Sequence, residues 1–91
     1  MASFHFKILT PHEMALDEQV VSIVVPAVDG YLGVLAHHIP LITTLTLKAD
    51  TLKVSLEGKA EKWFKVSGGV LKVKRDEVVV LTETVEEIQP E

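Results

Sequence analysis

The chain has 91 residues, 47% of them hydrophobic, a formal net charge of -4 and no cysteine. It has room for one compact domain, and disulfides, thiolate metal sites and a phosphate-reading basic stripe are excluded, so nucleic acid is not an expected partner. The apolar content and the positive mean hydropathy are high for so small a domain, so part of the apolar surface is expected to meet another protein.

The first ten residues alternate polar and apolar types instead of placing a basic region before an apolar block, so no secretory leader is expected and the chain should stay inside the cell. Phe4, Phe6 and Ile8 alternate with His5 and Lys7, the period of a half-buried strand. Thr10-Pro11-His12 punctuates it. Met14 to Gln19 then leads into Val20-Val21-Ser22-Ile23-Val24-Val25, a β-branched run that disfavours helix and predicts a central strand buried on both faces. Pro26 lacks a donor and Asp29-Gly30 is turn chemistry, so this strand is expected to end at Pro26 and a functional loop to begin there. The apolar stretch Val20 to Val28 is broken by Ser22 and Pro26 and is far shorter than the roughly 20 residues of a spanning helix, so direct membrane insertion is not expected.

Ile42 to Leu47 predicts another strand, and Leu52, Val54 and Leu56 alternate with Lys53 and Ser55 before Glu57-Gly58 turns the chain. Ala60 to Val66, Val70 to Lys74 and Val78 to Thr82 repeat the pattern around Ser67-Gly68-Gly69 and Lys74-Arg75-Asp76. Short strands at near-regular spacing, without a helical stripe before Glu83, predict an all-β sandwich or barrel. The acidic end, 86–91, is expected to be an exposed tail beyond a domain at 1–85. Trp63 and Phe64 are neighbours on one strand, so one should enter the core and the other face out.

Catalytic chemistry finds little support. His37-His38 are adjacent and would point to opposite faces of a strand, and neither His5 nor His12 stands at a ligand spacing from them, so no metal site is expected. None of the four serines, Ser3, Ser22, Ser55 and Ser67, lies in a nucleophile elbow. The glycines of Asp29-Gly30-Tyr31-Leu32-Gly33 and of Ser67-Gly68-Gly69 lack the lysine and following helix of a phosphate loop. Asp17-Glu18 and the acidic end read as solvated charge. No catalytic residue and no cofactor are expected.

The block Pro26-Ala27-Val28-Asp29-Gly30-Tyr31-Leu32-Gly33-Val34-Leu35-Ala36-His37-His38-Ile39-Pro40-Leu41-Ile42-Thr43 resembles the signature of the epsilon subunits of rotary F-type ATP synthases, a G-x-x-G element followed by H-x-P-L. Phe6 to Pro11 resembles the family's opening strand. Ser67 to Val73 with Val79 to Thr84 resembles its closing hairpin. The resemblance covers nearly the whole chain. It implies a flattened sandwich of about ten short strands at the foot of the central stalk, bound to the gamma subunit and resting on the c-ring of the membrane sector. There it would couple proton or sodium flow to ATP synthesis, without being an enzyme itself, on the cytoplasmic face of a bacterial inner membrane.

Carried over by position, Asp29, Gly30, Tyr31, Leu32 and Gly33 would form the ring-contacting loop, with Gly30 and Gly33 permitting the turn and His38 and Pro40 fixing the return strand. Three departures stand out. Tyr31 occupies a place that is acidic in many members, His37 replaces a common glycine, and Lys48-Ala49 replaces a usual Pro-Gly. The resemblance does not extend to the family's C-terminal helical hairpin, so ATP binding and inhibition of hydrolysis are expected to be absent. The alternatives are a non-catalytic β-sandwich binding module of another assembly and, less in keeping with the residues, a metal-dependent hydrolase using His37 and His38.

Overall fold

The architecture turns on one long strand. In the computed structural model, which describes residues 2–89, β1 (Phe4–Leu9) is followed by β2 (Met14–Ala27), a strand of 14 residues. Its first half, Met14 to Val20, pairs antiparallel with β1. A register shift between Val20 and Ser22 marks a bulge, and the second half pairs with β3 (Gly30–Leu35) on one side and with β5 (Asp50–Leu56) on the other. A bulge adds twist and bend, which lets a single strand serve two layers.

The remaining strands are β4 (Leu41–Thr44), β6 (Glu61–Ser67), β7 (Val70–Lys74), β8 (Glu77–Leu81) and β9 (Thr84–Ile88). Together the nine described strands run in the order β4-β7-β8-β1-β2-β5-β6-β9, with β3 added on β2. One layer is therefore β4-β7-β8-β1 with the start of β2, and the other is β3, the end of β2, β5, β6 and β9. Counting β2 once in each layer accounts for the expected ten or so strands of an all-β sandwich. β1 and β8 pair in parallel; the other ladders are antiparallel.

The alternation read from the sequence fills the space between the layers. Phe4, Phe6 and Ile8 are buried while His5, Lys7 and Leu9 are half-buried on the outer face. Phe6, Ile8, Leu71 and Val80 from one layer join Ile23, Leu52, Val54 and Phe64 from the other in a single buried cluster. Each such side chain contributes on the order of 1.5–3 kcal/mol of hydrophobic stabilisation. Trp63 stays half-buried on the outer face, so the choice between the adjacent aromatics falls on Phe64 for the core.

Several expectations need correction. β2 is not buried on both faces: Ile23 and Val25 are buried but Val21, Ser22 and Val24 are only half-covered, because none of the described strands lies over the outer side of this layer. Nor does β2 stop at Pro26. Pro26 lies opposite Tyr31 in a pair that needs no donor from it, and its carbonyl accepts from the Thr46 amide at 2.9 Å. The acidic end is not a tail from residue 86: Thr84–Ile88 forms β9 along β6, with Val85 opposite Val66 and packed against the core. The ladder outweighs the repulsion of Glu86 and Glu87, whose side chains remain exposed. Pro90 and Glu91 lie outside the described residues.

Candidate partner-binding hairpin

The segment expected to be a loop is a tight β-hairpin. Ala27 pairs with Gly30, leaving Val28 and Asp29 as the turn, and Gly30 takes φ 122°, a region side-chain-bearing residues rarely enter. A Cβ there would meet nothing within 4 Å, so backbone conformation alone asks for glycine. The hairpin's root is tied to the opposite layer: the Val28 amide donates to the Thr44 carbonyl at 2.9 Å, next to the Thr46–Pro26 bond, and Ala27 bridges Leu45. This seam closes the sandwich beside the tip and makes the hairpin a stiff projection.

At the tip the apolar side chains turn outward. Val28 is 61% exposed, Tyr31 63% and nearby Leu47 85%. The Tyr31 hydroxyl donates to Asp50 Oδ1 at 2.6 Å, and the Thr51 amide donates to the same oxygen at 2.7 Å. The Asp50 carboxylate pushes the phenol above its ordinary pKa, chiefly because the hydrogen bond needs the proton in place, with desolvation and the negative charge acting the same way. Tyr31 is thus a neutral, oriented aromatic on the outer face. A shallow cleft beside it is lined by Pro26, Ala27, Thr46 and Asp50.

The structure brings Asp29, Gly30 and Tyr31 together at this tip, with Leu32 directed half-buried to the inner side. Gly33 does not belong to the turn. It lies in mid-strand opposite Val24, without a positive φ and with open space where a Cβ would stand, so its expected role in bending the chain is incorrect. His38 and Pro40 sit at the far end of β3, which carries the chain roughly 17 Å from Gly30. There His38 secures the β3–β4 turn, with its amide donating to the Leu35 carbonyl at 3.2 Å and its Nδ1 2.7 Å from the Ile39 carbonyl. The sequence motif is therefore one exposed hairpin tip plus one remote turn.

His37 adopts φ 67° and lies 3.7 Å from Asp76, itself at φ 64° across the same end of the sandwich. The two adjacent histidines are engaged separately, and among the described residues no three His, Cys, Asp or Glu side chains are grouped to hold an ion. Sequence reasoning missed Asp50, Thr46 and Leu47. Asp50 is 19 positions from its tyrosine partner, and no local pattern signals a contact that a strand crossing creates.

Residues 3–88 match the family model described as the ATP synthase, Delta/Epsilon chain, beta-sandwich domain. The ATP synthase epsilon chain of Moorella thermoacetica is 40% identical over 86 residues, covering 94% of this chain and 63% of the relative. The ATP synthase epsilon chain of Chlorobium limicola is 31% identical over 83 residues, covering 91% of this chain and 92% of the relative. A chain of the cryo-EM structure of Euglena gracilis mitochondrial ATP synthase, OSCP/F1/c-ring in rotational state 1, is similar with a TM-score of 0.88 and 26% identity, covering 96% of this chain and 54% of that one. This chain thus spans about three-fifths of the Moorella relative and nearly all of the Chlorobium one.

Proposed function

Because this chain belongs to the ATP synthase delta/epsilon-chain β-sandwich family, we propose that it is a non-catalytic subunit of the central stalk of a proton- or sodium-translocating F-type ATP synthase. It binds the gamma subunit and the c-ring, and so holds the stalk to the ring while ion flow turns both. It is a peripheral part of the complex on the cytoplasmic face of a bacterial inner membrane.

The observation that carries this reading is the family match across residues 3–88 on a fold whose signature segment is a projecting, stiff hairpin. Torque transfer asks for a body that resists shear, and two hydrogen-bonded layers around a packed core supply it without an active site. Val28, Asp29 and Tyr31 are the ring-facing residues. With a neutral Tyr31 hydrogen-bonded to Asp50, this contact is less ionic than one made by an acidic side chain. His38 and Pro40 act indirectly, by holding β3 at its other end.

The test is binding of the folded 91-residue chain to isolated gamma subunit. Retention at micromolar concentration is expected, and absence of binding by a chain shown to be folded would falsify the stalk assignment. In a hydrolysing complex the chain is expected to leave ATP hydrolysis without strong inhibition.

A further inference from the structure

We propose that two free copies of this chain pair edge to edge through β3, antiparallel, about a two-fold axis at Gly33. The inference concerns the free chain and does not depend on the stalk assignment. Its basis is the direction of the backbone groups. Pro26 has no N–H, and its carbonyl is bonded to Thr46 on the side away from β3, so Pro26–Tyr31 is a pair without mutual hydrogen bonds. By alternation, Ala27–Gly30, Val25–Leu32 and Ile23–Val34 are the hydrogen-bonded pairs. The main-chain N–H and C=O groups of Tyr31, Gly33 and Leu35 therefore point to the open side of β3, where only the Leu35 carbonyl has a described partner, the His38 amide.

Edge strands normally carry a device against pairing. β9 has exposed Glu86 and Glu87. β4 is four residues long, follows Pro40, and its Thr44 carbonyl is bonded to Val28. β3 has six residues, no charge and no proline, and exposes Tyr31 and Leu35 by 63% and 65%. Such an edge is a template for another strand.

The occupant that matches it is a second copy. Antiparallel pairing centred on Gly33 sets Gly33 against Gly33, where nothing stands within 4 Å of a Cβ position, and lays the exposed Leu35 of each chain opposite the backbone of Tyr31 in the other. The Tyr31–Asp50 bond holds the ring over its own layer, clear of the approaching backbone. An interface that maps onto itself in this way is what a two-fold dimer requires.

Sedimentation of the 91-residue chain over a wide concentration range should show the 10.0 kDa species giving way to a dimer, with amide exchange slowing at Tyr31, Gly33 and Leu35 as the dimer forms. Gly33→Pro removes two of the intermolecular donors per dimer while leaving the β2 ladder its bonds, and should weaken association roughly thirtyfold. Leu35→Lys, at an exposed position, checks the same edge without a backbone change and should weaken it similarly, with unaltered circular dichroism. A single species at every concentration overturns the proposal. So does a dimer that both variants form as readily as the parent, or one whose slowed amides lie in Thr84–Ile88.

Discussion

Two glycine-bearing turns, at the β2–β3 hairpin and at the β6–β7 corner, look alike in sequence and do opposite work. At the hairpin, Gly30 and Gly33 face open space. At the corner, a Cβ on Gly69 would stand 1.9 Å from the Leu81 carbonyl oxygen and 2.8 Å from Thr82 Cα, and its φ of 114° disfavours any side chain. Beside it the buried Thr82 hydroxyl donates to the Gly68 carbonyl at 2.8 Å, and the Thr82 amide donates to the Leu9 carbonyl at 2.9 Å. The corner glycine is required by packing between strands, whereas the hairpin glycines leave a surface uncovered.

The largest effect that sharpens this contrast is expected from Gly69→Ala. With backbone atoms in the way, β7 and β8 must separate, and thermal unfolding should show a loss on the order of 3 kcal/mol or more. In a domain this size that corresponds to a drop in Tm of roughly 12 °C or more. Thr82→Val should come next. It keeps the volume but leaves the Gly68 carbonyl without its buried donor, and urea titration should register about 1–3 kcal/mol.

A smaller effect concerns pH. The folded phenol of Tyr31 is held above its ordinary value, so the folded chain keeps its proton where the unfolded chain has lost it. The stabilising contribution is therefore complete below a pH of about 10 and lost as pH rises through the folded value. Ultraviolet titration of the tyrosinate band should show a raised midpoint that falls back in Asp50→Asn; an unchanged midpoint would break the assigned cause. Smallest of all should be Gly33→Ala, which is expected to alter stability by less than about 1 kcal/mol, in the stabilising direction. A loss comparable to Gly69→Ala would erase the distinction between the open hairpin strand and the packed corner.

Much of the fold was legible because strand signals are local. The alternation of Phe4, Phe6 and Ile8, the β-branched run before Pro26 and the turn chemistry at Asp29-Gly30 each act over a few residues. β9 was not legible, since Glu86 and Glu87 look like solvated tail and only the neighbouring edge of β6 recruits them into a ladder. The candidate site was half legible. The turn residues and exposed Tyr31 follow from the motif, but the separation of His38 and Pro40 from the tip depends on β3 being extended along its whole length.

What the sequence determined by itself is therefore the all-β class, the inward set of apolar side chains and the family signature, because these rest on periodicity and on contiguous residue types. The tertiary structure alone decided that β2 serves both layers, that Asp50 orients Tyr31, and which backbone groups of β3 are left open. Those depend on strand neighbours distant in sequence, whose register is set when both inner faces must be buried together.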